Sequence, residues 1–277
     1  MNLLLYEDLV RQALLEDIGF QDLTTEAVIS ASSSATAQLL VKGQGVIAGL
    51  DVAAAAFRLL DPEAKFTAFS LDGDAVEPGQ VVASIAGRAR ALLSAERTAL
   101  NLLQHLSGIS SVTRQAVKAV EDFNCWVIDT RKTTPGLRAL EKYAVTAGGG
   151  RNHRFGLFDA VLIKDNHIAA AGGISKAVSL VRAAVGPMVK IEVETESLAQ
   201  VEEALTTGAD VIMLDNMPCP LMREAVKLIG GRALTEASGG ITLATLREVA
   251  NTGVNLISLG WLTHSAPALD ISLDIMD

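Results

Sequence analysis

The chain has 277 residues, with 23 Lys plus Arg against 32 Asp plus Glu, a net charge of −9 and a hydrophobic content of 49%. The length suits one large domain or two ordinary ones, and the acidic balance argues against a nucleic-acid partner. Mean hydropathy is high at +0.34, yet no apolar run reaches the ~18 residues that a bilayer span needs, so no membrane role is expected.

The opening MNLLLYEDLV places Glu7 and Asp8 where an export signal carries basic residues. Cys125 and Cys219 form neither a disulfide framework nor a metal-type spacing, and a reducing cytoplasm is expected. Leu3–Leu15 has helical spacing, stopped by Asp17-Ile18-Gly19. Ala35–Lys42 alternates as a strand does, and Gly43–Gly49 turns back into a second. Asp51 is expected to cap an alanine-rich helix that runs through Leu60 and ends at Asp61-Pro62. Phe66–Leu71 and Val81–Ile85 are predicted strands around the turn-rich Asp72–Gly79. These elements predict an α+β domain over 1–106. Near its end Ser94 is expected to start a helix striped by Leu100, Leu103 and Leu106. That start would put Arg97 in the first turn, where the helix dipole disfavours a cation without a partner.

From Ser107 onward a pattern repeats. Trp126–Asp129, Ala160–Ile163, Val189–Val193, Val211–Leu214, Ala233–Glu236 and Leu256–Leu259 are short apolar runs that end at charged, polar or glycine residues. Segments with helical spacing, such as Ser197–Thr207 and Leu243–Asn251, lie between them. Repeated β-α units imply parallel strands. Six or seven of them suggest an α/β fold over 107–266, a barrel or an open barrel, in which either two strands are irregular or the ring is incomplete. Reactive groups of such folds gather at the C-terminal ends of the strands. Arg131, Lys132, Lys164, Glu194 and Asp215 fall there, followed by Ser238-Gly239-Gly240 and Gly260.

Asp129–Ile168 carries seven Lys or Arg against four acids, 7 − 4 = +3, inside an acidic chain. Arg131 with Lys132, Lys164, and the loop pair His153-Arg154 are suited to hold carboxylates or phosphates, Arg as a planar fork and Lys as a point charge. Glu194 and Asp215 either hold a divalent metal that bridges to phosphate or stabilise a cationic transition state. Each also has a structural alternative: a salt bridge from Glu194 to Lys164 or Lys190, and a helix cap by Asp215. His105 and His264 read as packing residues, and no zinc site is expected. The residues alone therefore point to a phosphorylated sugar beside a small acidic molecule.

The strings EDIGFQDLTT, ERTALNLLQHLSGIS, DTRKTTPGLRALEKYAV, GGGRNHRFGLFDAVLIKDNHI, KIEVE, IMLDN, EASGGI and ISLG run in order along nearly the whole chain. On them the chain resembles the quinolinate phosphoribosyltransferase family. The resemblance implies that quinolinate and phosphoribosyl pyrophosphate, with Mg²⁺, give nicotinate mononucleotide, pyrophosphate and CO₂ on the route to NAD. It implies an incomplete α/β barrel beside a smaller N-terminal α+β sandwich domain, which 267–277 returns to complete. It implies a homodimer in which Arg97 crosses to the partner's site, and leaves further assembly open. By the same resemblance Arg131, His153, Arg154 and Lys164, with Arg97 from the other subunit, hold the quinolinate carboxylates. Lys132, Glu194 and Asp215 serve catalysis near the pyrophosphate, the two acids meeting the metal directly or through water. Ser238, Gly239 and Gly260 hold the 5′-phosphate. Two rivals remain in view: a relative of this family from molybdate-transport gene clusters, and a non-catalytic phosphometabolite-binding protein.

Overall fold

The computed structural model describes residues 1–276. Its strands are β1 (Ser34–Val41), β2 (Gly45–Val46), β3 (Lys65–Ala68), β4 (Ala75–Val76), β5 (Val81–Arg88), β6 (Trp126–Ile128), β7 (Val161–Ile163), β8 (Ile191–Thr195), β9 (Val211–Asp215), β10 (Leu234–Ser238), β11 (Leu256–Ser258) and β12 (Ile271–Met276). The helices that matter below are α1 (Glu7–Ile18), α2 (Leu23–Val28), α3 (Leu50–Leu60), α4 (Ala89–Ala119), α5 (Arg138–Ala147) and α6 (Asp165–Ala171). Among the described residues no helix is long and apolar enough to cross a membrane.

The chain forms two compact units, each assembled from separated stretches. One takes 1–114, 133–149 and the segment from Leu262 onward; the other takes 115–132 and 150–261. The first change of unit comes after Arg114, inside helix α4. Helix α4 runs unbroken through Ser107-Gly108, because Gly108 serves packing and not termination: a Cβ there would collide with the Pro267 carbonyl.

The first unit is built on an antiparallel sheet in the order β12-β1-β5-β3. Strand β12 pairs with β1 from Thr36↔Met276 to Val41↔Ile271. The alanine-rich α3 is buried along most of its length, from Leu50 to Phe57. Its N-cap is Gly49, not Asp51, and the Leu50 amide donates to Asp72 Oδ1 at 3.1 Å. Asp72 is distant in sequence, which hid this cap. Ser94 does not start α4; its hydroxyl donates to Asp22 Oδ2 at 2.8 Å, inside a helix that began at Ala89. Arg97 is therefore exposed in the third turn, outside the reach of the helix dipole. Strand Phe66–Leu71 is shorter than expected, at Lys65–Ala68, and only Gly45–Val46 of the 43–49 stretch pairs.

Helix α5, expected in the barrel, belongs to the first unit. It buries Leu140, Glu141, Lys142, Ala144 and Val145. His105 Nε2 lies 2.9 Å from Glu141 Oε1, and Glu141 Oε2 accepts the Thr134 amide at 3.1 Å. His105 is thus a hydrogen-bond partner of a fully buried acid and more than a packing residue. Tyr143 donates to Asp72 Oδ2 at 2.6 Å, and Arg114 caps the end of α5 through the Gly148 carbonyl at 2.9 Å. His264 is exposed, with Nδ1 2.6 Å from the Ser265 hydroxyl.

The second unit is a parallel sheet in the order β6-β11-β10-β9-β8-β7, with no ladder closing β7 onto β6. This is the incomplete barrel, at the lower of the expected strand counts. One parallel bridge, Ile128↔Arg151, extends the β6 edge toward the gap. Val193, Ile212, Leu214, Ala237 and Ile257 are fully buried, as fits strands covered on both faces. Strand β8 begins two residues later than expected and keeps Glu194 inside the ladder, opposite Met213.

Candidate active site

Every second residue of these strands faces the barrel interior. From start to end, β9 offers Val211, Met213 and Asp215, while β10 offers Leu234, Glu236 and Ser238. Strand β8 offers Glu192 and then Glu194. The early positions are largely apolar and line a lower cavity of about 320 Å³ together with Trp126, Ile128 and Leu256. The late positions are polar and line an upper cavity of about 610 Å³, a volume typical of small-molecule sites.

The upper cavity brings together Arg131, Lys132, His153, Arg154, Lys164, Glu194, Asp215, Ser238 and Gly239. Asn216, Glu236, Gly240 and Ser258 line it too. Gly260 follows β11, and the lining residue from that strand is Ser258. Arg97 belongs to the other compact unit.

Local hydrogen bonds set these side chains in place. Buried Asp129 accepts the His153 amide at 2.8 Å and donates its own amide to the Arg151 carbonyl at 3.1 Å. That pair lays residues 151–154 along the end of β6. The Lys132 amide donates to Thr130 Oγ1 at 3.0 Å, and Arg154 Nη1 donates to the Ala160 carbonyl at 3.1 Å. His167 Nδ1 accepts the Lys164 amide at 3.0 Å, which fixes Lys164 between β7 and α6. Asp215 Oδ2 accepts Asn216 Nδ2 at 2.7 Å.

Four cations, Arg131, Lys132, Arg154 and Lys164, share the cavity with Glu194, Asp215 and Glu236. Burial, and then the charge of Arg131, lower the proton affinity of Arg154. A guanidinium stays protonated in any case, so two cations face each other, with Glu192 and Asp159 offsetting part of their repulsion. An anion bound between them would offset more. Lys164 Nζ meets Glu194 Oε2 at 3.2 Å, the salt bridge foreseen as Glu194's structural alternative. This pair does not fill the site, since the Lys164 side chain is 50% exposed. Asp215 does not cap the next helix, whose N-cap is Pro218.

Behind this layer lies a trio. His153 Nε2 is 3.0 Å from Glu192 Oε2 and 3.4 Å from Glu236 Oε2. Both acids are buried; among the described residues Glu192 Oε1 and Glu236 Oε1 have no hydrogen-bond partner, and Glu236 Oε2 has the long His153 contact. Burial, and then the charge of Glu236, push the Glu192 carboxyl up to about 7. Burial works against a charged His153 ring, but the two acids outweigh it and push its pKa up to about 10. The direction follows from the acids; its full extent is opposed by the Arg154 amide, which faces Nδ1 at 2.6 Å where a second proton would sit. By composition the trio could hold a metal ion. The Arg154 contact instead puts the ring proton on Nε2, the atom a metal would need. The trio therefore holds protons.

Glu192, Glu236 and Asn216 were not singled out from the sequence. Glu192 and Glu236 sit two residues before Glu194 and Ser238, on the same face of their strands. An acid at an inward position of an apolar strand is the signal that would have found them.

The family model for the quinolinate phosphoribosyl transferase N-terminal domain matches residues 22–107, and that for the C-terminal domain matches 109–274. The chain is 50% identical over 275 residues to a probable nicotinate-nucleotide pyrophosphorylase (carboxylating) of Bacillus subtilis (strain 168), covering 99% of this chain and 95% of that protein. It is 44% identical over 282 residues to the quinolinate phosphoribosyltransferase (decarboxylating) 2a, mitochondrial, of Nicotiana tabacum, covering 95% and 80%. The crystal structure of NadC from Streptococcus pyogenes superposes with a TM-score of 0.96 at 45% identity, covering 100% of this chain and 99% of that one. With both domain models matched in order and half of its residues shared with a full-length relative, the chain belongs to the quinolinate phosphoribosyltransferase family.

Proposed function

We propose that this chain joins quinolinate to phosphoribosyl pyrophosphate and releases pyrophosphate and CO₂, giving nicotinate mononucleotide for de novo NAD biosynthesis. The observation that carries this reading is the placement of Arg131 and Arg154 as repelling neighbours in a cavity that also holds Lys132, Lys164, Glu194 and Asp215. A dianionic pyridine relieves the two guanidiniums.

The mechanism follows from the residues. Arg131, Arg154 and Lys164 grip the carboxylates and aim the ring nitrogen at C1 of the ribose. Ser238, Gly239 and Gly260 lie at the late strand ends, where backbone amides suit a 5′-phosphate. The bond from C1 to the pyrophosphate oxygen loosens as the ring nitrogen approaches, and positive charge grows on the ribose. Glu194 and Asp215 stabilise that charge, and Lys132 meets the charge that develops on the leaving group. The 2-carboxylate then departs as CO₂. Its electron pair stays on the ring carbon beside the cationic nitrogen, and a proton replaces it.

Glu194 and Asp215 fit a Mg²⁺ ion by their chemistry, since they are hard oxygen donors at the ends of adjacent strands. They would hold it directly or through water, and its contribution is to neutralise pyrophosphate charge. We also propose a homodimer in which Arg97, exposed on α4, completes the partner's carboxylate site. The proposed setting is the cytoplasm, where the free thiols Cys125 and Cys219 stay reduced. The test is release of labelled CO₂ from quinolinate that depends on phosphoribosyl pyrophosphate. Purified protein that binds both compounds but releases none would instead be a phosphometabolite-binding protein.

A further inference from the structure

Asn216 is the non-glycine residue with positive φ among the described residues, at 51°. Asparagine tolerates this left-handed region better than most residues, but only glycine enters it freely. The turn itself is held by the backbone, since the Asn216 amide donates to the Ser238 carbonyl at 2.9 Å. Glycine would serve that turn as well. The side chain has a separate engagement: Nδ2 donates to Asp215 Oδ2 at 2.7 Å. The rest of the carboxamide occupies the space over Gly239, where a Cβ would collide with it. Gly239 has φ of 93° and lines the same cavity as Asp215 and Asn216.

We infer that Asn216 is a positioning residue, which fixes the Asp215 carboxylate toward the pyrophosphorylated ribose from the room that Gly239 leaves. The inference rests on the role proposed above for Asp215. A carboxylate on a short side chain at a cavity mouth has several rotamers open to it. A charge-assisted hydrogen bond selects one of them and leaves the other oxygen free for the ligand. The same carboxamide lies against Gly239 in the loop after β10, beside the backbone bond that joins the ends of the two strands.

The test is a double-mutant cycle in the full chain. Asn216→Gly keeps the backbone conformation and removes only the carboxamide. It should leave the Tm and the KM for quinolinate unchanged and weaken phosphoribosyl pyrophosphate about tenfold. In an Asp215→Ala background, already impaired, Asn216→Gly should add nothing, because its partner is gone. Binding of phosphoribosyl pyrophosphate by calorimetry reads all four proteins even where turnover is slow. Asn216→Gly with wild-type affinity beside an impaired Asp215→Ala overturns the inference alone. Equal losses from Asn216→Gly in both backgrounds also overturn it, since the side chain would then act without Asp215. Wild-type affinity in Asp215→Ala overturns both the inference and the role of Asp215 on which it rests.

Discussion

Lys164 Nζ lies 3.2 Å from Glu194 Oε2, across the ends of the neighbouring strands β7 and β8. The pair joins the cation proposed to hold a substrate carboxylate to the acid proposed to face the ribose. Lys164→Ala should lower kcat/KM for quinolinate by about 100-fold or more, roughly 3 kcal/mol of transition-state stabilisation. The Tm should also fall, because Lys164 is half exposed but the buried Glu194 would lose its partner. Steady-state CO₂ release and a thermal melt check the two halves.

Arg131→Ala should abolish turnover. It also removes the like charge beside Arg154, and a thermal melt reads whether that outweighs the contacts Arg131 itself makes. A melt well below the parent's would show that Arg131 supports the fold as well as the substrate.

Stability should fall as pH rises through the range set by His153. Its folded pKa of about 10 lies above its ordinary value of 6.5. The folded chain then binds more protons than the unfolded one, and the contribution present below pH 6.5 is lost as pH climbs toward 10. The stability difference between the parent and His153→Gln should shrink by up to a few kcal/mol over that range. Chemical unfolding at several pH values measures it. A flat difference would mean that the Arg154 amide keeps the second proton off the ring.

The proposed sharing of Arg97 has a direct readout. Arg97→Ala and Asp215→Ala should each be inactive alone. Random mixing makes half of the dimers hybrid, each with one intact site, so about a quarter of parental activity should return. Mixtures that stay inactive would place Arg97 in its own subunit's chemistry.

The strand ends were legible because apolar runs followed by charges mark β-α units whatever the helices between them do. Lys164, Glu194 and Asp215 came straight from that pattern and share one cavity. The start of α4 was not legible. Strand β5 runs into it without a local cap; the Arg88 amide donates to Asp61 Oδ2 at 2.8 Å and the Ala89 amide to the Ser33 carbonyl at 2.9 Å. Both acceptors are far away in the chain, so Ser94 stood out as the cap only because it is a serine. Glu192 and Glu236 were hidden for the opposite reason. They interrupt no strand, and their meaning lies in a histidine from another loop. Residues 138–147 fell within the expected barrel only by their order in the sequence, whereas His105, Arg114 and Asp72 decide where α5 packs.

The chain leaves the second unit after Lys132, builds α5 into the first, and re-enters at Gly150. Neither unit is consequently a portable cassette. A cut near residue 108 would give an N-terminal fragment without α5 and without the edge strand β12, and its partner fragment would carry both as orphans. Recombination between relatives should succeed only with crossovers at the four places where the path changes units, and fragments split elsewhere should regain activity only when expressed together.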